Sequence, residues 1–124
     1  MDSIYRRSNE QGSTSWLFQR ISGILLLVFL AGHLWVTHYS PGGFVTFDKV
    51  SVRLFLPTWK VFDIFLLITA LYHGLNGIWI LLLDYVHKDW LRITLYGILM
   101  TTGFIFSILG GLTIISFPSH LLRM

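Results

Sequence analysis

The sequence predicts an all-α membrane protein with three transmembrane helices, and three observations carry that prediction. Of its 124 residues, 54% are hydrophobic and 12% charged, with a mean hydropathy of +0.68, a balance adapted to lipid. Three stretches, about residues 16–38, 61–83 and 96–117, reach the roughly 20 apolar residues that cross a bilayer. Only short segments separate them, so the chain is expected to form one membrane domain with no soluble catalytic or nucleotide-binding unit. No cysteine is present, which excludes disulfides, thiolate-held iron–sulfur clusters and c-type haem attachment, and leaves haem held by histidine alone.

The first fifteen residues, MDSIYRRSNEQGSTS, are polar and lead into the first span without an A-x-A-like cleavage site. No secretory signal is read there, and the first helix is expected to stay. Arg20, Ser22 and Gly23 open that span, and His33 follows Gly32 in its second half. Eleven residues separate Ser22 from His33, so at 100° per residue they share a face. His38 lies at the far end, beside Tyr39 and the helix-breaking Ser40-Pro41-Gly42-Gly43. In the 39–60 connection, Phe44, Phe47, Val50 and Leu54 recur at three- and four-residue steps. That pattern fits a short amphipathic helix in the interface, and a plain connecting loop equally well.

The second span reads LYHGLNGIWILLLDY, with His73 about halfway along and Asp84-Tyr85 at its end. Their spacing puts His73 and Asp84 on nearly the same face, about 16 Å apart along the axis. Gly74 and Gly77 remove side chains beside the histidine, which lets a helix or a flat cofactor approach closely. The third span carries no charge over 97–117 and offers Gly103, Gly110 and Gly111 for packing. An N-terminus inside would place Arg6, Arg7, Arg20, Lys88 and Arg92 in the cytoplasm and Lys49, Arg53, Lys60 and Arg123 outside, a slight positive-inside bias.

His33 and His73 carry most of the chemistry. An ionisable side chain at bilayer depth costs several kcal/mol unless something holds it, and a neutral imidazole with a free nitrogen is above all a metal ligand. By residue chemistry alone His73 is either a haem or metal ligand or an interhelical hydrogen-bonding group, with Asn76 serving the same purpose one turn away. Asp84 and Tyr85 read first as an interfacial anchor pair. Two histidine-bearing helices suit electron transfer better than transport, which calls for midplane carboxylates or broken helices. Asp63 is the single acidic candidate, near a helix end.

The ordered set Gln19-Arg20-Ile21-Ser22-Gly23, Gly32-His33, Phe62-Asp63, His73-Gly74-x-Asn76-Gly77 and Asp84-Tyr85 covers about residues 16–96. It resembles the small cytochrome b membrane-anchor subunits of succinate:quinone oxidoreductase, the family of succinate dehydrogenase or respiratory complex II. The resemblance implies half of a heterodimeric membrane-anchor helix bundle in the cytoplasmic membrane, with a sister anchor subunit as its partner. It also implies docking of an iron–sulfur subunit and a flavoprotein subunit that deliver electrons from succinate to quinone. In such anchors the helix-two histidine, here His73, is an axial ligand of haem b, with the opposite ligand on the sister chain.

The same resemblance makes His33 the ligand of a second haem nearer the outer face. Tyr85 becomes a hydrogen-bond donor to a quinone carbonyl, with Asp84 close by and Arg20 and Ser22 in the quinone-binding set. Relatives often carry arginine just after the Asn-Gly-apolar step, where this chain has Trp79. Axial rise alone barely separates the expected depths of His33 and His73, so a single haem shared within the chain stays open. The competing readings are a haem-free structural or assembly subunit, and a di-haem membrane cytochrome with another electron donor.

Overall fold

The computed structural model describes residues 2–39 and 45–116, with side chains from residue 13 onward. The Pro-Gly-Gly break, Phe44 and everything after Ser116, including the end of the third expected span and Arg123, lie outside the described residues. Four helices and no strand occur among them: α1 (Asp2–His38), α2 (Phe47–Phe55), α3 (Pro57–Tyr85) and α4 (Asp89–Ser116). Three are long and apolar enough to cross a membrane, over Ser13–His38, Pro57–Tyr85 and Asp89–Ser116.

Each helix starts before its apolar stretch. The polar leader has no proline, so α1 continues back to Asp2. Pro57, with its preset φ and no amide hydrogen to leave unpaired, opens α3 at its first position. Asp89 supplies an acidic group to the first turn of α4, where the helix dipole favours it. In the connection, Thr46 caps α2 by accepting the Lys49 amide at 3.4 Å, with Asp48 in the first turn and Arg53 in the last.

Basic side chains close the opposite ends of the bundle. Arg92 donates to the carbonyls of Val86 at 2.5 Å and Leu83 at 3.5 Å, covering the C-terminus of α3, and Lys60 donates to Ile115 near the end of α4 at 3.1 Å. Between those ends α3 is the central helix, with α1 and α4 packed on it and α2 resting against it. Gly103 and Gly110 of α4 receive Leu75 and Leu67 of α3: a Cβ on Gly103 would collide with Leu75, and one on Gly110 would lie 2.9 Å from Leu67. On the other side Gly32 of α1 receives the Phe62 ring, which also meets Phe29 edge-on at 5.5 Å.

The interior is thin and partly polar. The buried residues are Leu54 and Leu99 together with Ser22, Ser51, Asp63 and Gly103, whereas Leu27 and Ile93 are more than 70% exposed. Apolar side chains facing outward suit lipid or neighbouring helices, where close backbone packing and interhelical hydrogen bonds supply the cohesion.

Candidate functional site

α1 and α3 run antiparallel, and two polar clusters join them at different depths. In the first, Asn76 donates to the Gln19 side-chain oxygen at 2.7 Å, Gln19 donates from its amide to the His73 carbonyl at 3.1 Å, and Ser15 bonds Asn76 at 3.4 Å. Gly77 makes room for this, since a Cβ there would lie 3.0 Å from the Gln19 amide nitrogen. Gly23 does the same for the His73 ring, whose Cε1 would lie 3.1 Å from an added Cβ.

The cluster selects a tautomer. His73 Nδ1 lies 3.2 Å from Ser22 Oγ and 3.2 Å from the Gln19 backbone carbonyl. The Ser22 hydroxyl is also within reach of that same carbonyl, at 3.0 Å. The Gln19 carbonyl can only accept, so the Nδ1–H tautomer is the one that satisfies this contact, and in it Nε2 keeps a lone pair. Nε2 accepts no hydrogen bond among the described residues. Beside it Gly74 is exposed, with nothing within 4 Å of where its Cβ would stand.

The second cluster was not visible as a unit in the sequence. His33 Nδ1 lies 3.0 Å from Asp63 Oδ1, and Arg53 Nη2 of α2 lies 2.5 Å from Asp63 Oδ2. Asp63, near the start of α3 as expected, is buried where three helices meet. A carboxylate only accepts, so His33 donates to it through Nδ1, and Nε2 has no hydrogen-bond partner among the described residues. His33 and Asp63 line an apolar cleft of about 530 Å³ with Leu26, Leu30, Leu66, Leu67, Ala70 and Ile114.

The helical register corrects the expectation about depth. His33 stands opposite Asp63, and His73 opposite Ser22. Ten residues of α3, or about 15 Å of helix, separate the two levels. Two imidazoles sharing one iron sit on its opposite faces only a few ångströms apart, so a single haem cannot take both histidines of this chain.

The other site residues are dispersed. Ser22 is 6% exposed and lies within hydrogen-bond distance of both His73 Nδ1 and the Gln19 carbonyl. The Arg20 guanidinium stacks on Trp16 at 3.8 Å from the ring centroid. Both line a cleft of about 610 Å³ with Ser15, Gln19, Trp79, Ile80 and Leu83. Trp79, in the place of the expected arginine, packs edge-on against Tyr96 at 4.8 Å. Asp84 and Tyr85 lie at the end of α3, Tyr85 79% exposed and outside that cleft. The sequence signal for Gln19 is a long amide side chain at the start of an apolar stretch.

The sequence profile described as succinate dehydrogenase/fumarate reductase transmembrane subunit matches residues 3–114. The chain belongs to this family. It is 31% identical over 70 residues to a succinate dehydrogenase hydrophobic membrane anchor subunit of Archaeoglobus fulgidus, covering 56% of the chain and 60% of the relative. To the corresponding subunit of Thermoplasma acidophilum it is 37% identical over 68 residues, 54% of the chain and 55% of the relative. To the succinate dehydrogenase cytochrome b558 subunit of Bacillus subtilis it is 35% identical over 69 residues, 52% of the chain and 34% of the relative. Each alignment thus spans less than two thirds of the relative's length. Family membership and the three apolar helices together make the chain a multi-pass membrane protein of the succinate dehydrogenase/fumarate reductase transmembrane-subunit family.

Proposed function

We propose that this chain is a cytochrome b membrane-anchor subunit of succinate:quinone oxidoreductase, binding haem b at two depths and helping to form the site of quinone reduction. The observation that carries this reading is the arrangement shared by His73 and His33, each with Nδ1 against a partner within the chain and no hydrogen-bond partner for Nε2 among the described residues. Inside an apolar helix this is the arrangement of a metal-ligating histidine. One axial nitrogen is available at each depth, so each haem requires its second ligand from a sister anchor subunit. The cytochrome b558 name of the Bacillus subtilis relative supports haem.

The chain's own residues fit that group. Gly74 leaves the flank of His73 open to a flat ring system. Arg53 keeps Nε and Nη1 buried without a partner among the described residues, two donors that a propionate carboxylate would satisfy. Bis-imidazole haem b supplies one-electron transfer without an open coordination position. His73 and His33 would hold the haem iron through Nε2, with Ser22, Gln19 and Asp63 holding their rings.

For quinone, Tyr85 donates its phenol hydrogen to a carbonyl at the water-accessible end of α3, and Asp84 beside it supplies a proton-exchanging group. Arg20 and Trp16 line the adjoining cleft, where an aromatic and a cation suit a flat polar headgroup. In this reading the N-terminus is cytoplasmic. The iron–sulfur and flavoprotein subunits dock at the Tyr85 end and deliver electrons from succinate.

Haem quantification as the pyridine haemochrome tests the proposal on the intact complex. Two haems per complex are expected, falling to one in His73→Ala and in His33→Ala. A full, unshifted b-type spectrum in His73→Ala would sink the reading and leave the histidines as helix cross-links.

A further inference from the structure

Asp63, the seventh residue of α3, is 7% exposed, and both its oxygens are taken. A carboxylate at that depth is costly unless paired, and Arg53 from α2 neutralises it through Oδ2. That pair alone would fasten α2 to α3. The third member, His33, is not needed for charge balance, yet Oδ1 is aimed at its Nδ1 at 3.0 Å. Its side chain remains 31% exposed, on the apolar cleft. One edge of the imidazole is therefore fixed by an anion while the rest borders open space between helices.

The two histidines differ in their partners. His73 donates to a hydroxyl and a peptide carbonyl, both neutral, whereas His33 donates to a carboxylate. A carboxylate behind a ligating histidine fixes the ring and raises its basicity. A more basic imidazole stabilises ferric over ferrous iron, so this difference alone makes two otherwise similar haem sites electronically unequal.

We propose that Asp63 is a positioning residue for the outer haem: it fixes His33 with Nε2 presented for iron and strengthens it as a donor, while Arg53 ties that arrangement to helix α2. The proposal rests on the reading that His33 holds a haem.

Redox titration of the intact complex, followed by visible spectra and by the g-values of the two low-spin ferric signals, tests it. In Asp63→Asn an acceptor oxygen remains but the charge is gone. The expected result is a raised midpoint potential and shifted g-values for the outer haem, with the inner haem at its wild-type values. Asp63→Leu is expected to lower the outer site's affinity for added haem about 10- to 100-fold, and Asp63→Glu to restore the wild-type signal.

Wild-type potentials and g-values in Asp63→Asn would overturn the proposal, as would equal changes at both haems. If Asp63→Asn does not assemble, Arg53→Gln is read instead. Freed of its cation, the carboxylate accepts more strongly, so the outer potential should fall and its g-values shift; no change overturns the proposal. His33→Ala distinguishes the two failures. If it keeps both haems, the underlying reading fails and the proposal with it. If it loses one haem while Asp63→Asn changes nothing, only the role of Asp63 falls.

Discussion

The Ser22 hydroxyl lies 3.0 Å from the Gln19 carbonyl and 3.2 Å from His73 Nδ1, so with Nδ1 protonated its oxygen accepts from the ring. Replacing it with alanine leaves the Nδ1 proton on the Gln19 carbonyl alone. Ser22→Ala should therefore retain the inner haem but weaken its binding, towards the low end of the roughly 10- to 100-fold typical of such supporting partners; haem titration of the stripped complex measures this. Retention of wild-type affinity would mean that Gln19 alone holds the ring. Tyr85 has no such structural duty, being exposed at the end of α3. Tyr85→Phe should then depress quinone reduction while sparing succinate oxidation by an artificial dye. Equal loss of both activities would assign Tyr85 to folding or docking instead.

Among the elements, α3 owes its central place to side chains that use its neighbours' glycines as sockets. Leu67 and Leu75, two turns apart, enter α4 at Gly110 and Gly103. Gly103→Val would drive two methyl groups into Leu75, and overpacking of this kind costs about 1–3 kcal/mol. Thermal unfolding of the detergent-solubilised complex should show a lower midpoint for Gly103→Val. Gly97→Val, on the same helix with nothing within 4 Å of its Cβ position, serves as the control and should stay near wild type. The short helix α2 is bound differently, through Arg53 on Asp63 and the buried Leu54. Its amphipathic steps were legible in the sequence, but the partner of its arginine was not.

Taken as a whole, the molecule exposes most of its large apolar side chains and offers one free imidazole nitrogen at each of two depths. Produced without a sister anchor, the chain should keep its helical circular dichroism in detergent yet fail to show a bis-histidine b-type spectrum, because each of its histidines would supply only one of the two ligands that a proposed haem needs. Co-production with the sister subunit should restore the spectrum and bring down the iron–sulfur and flavoprotein subunits in the same purification. A bis-histidine spectrum from the isolated chain would contradict the separation of His33 from His73.

Composition and run length alone determined that three helices would form and where their apolar stretches lie, since in lipid every backbone polar group must be bonded within its own helix. Residue chemistry likewise marked His33 and His73, because a histidine in an apolar span stands out whatever surrounds it. Pairing is another matter. Which residue of α1 meets which residue of α3 depends on how the helices slide past one another, and single-helix periodicity carries no record of that offset. Only the tertiary structure placed Asp63 against His33 and Ser22 against His73, thirty and fifty-one residues apart in sequence. That register separates the two histidines in depth, brings Ser22 to His73, and sets a buried carboxylate beside His33.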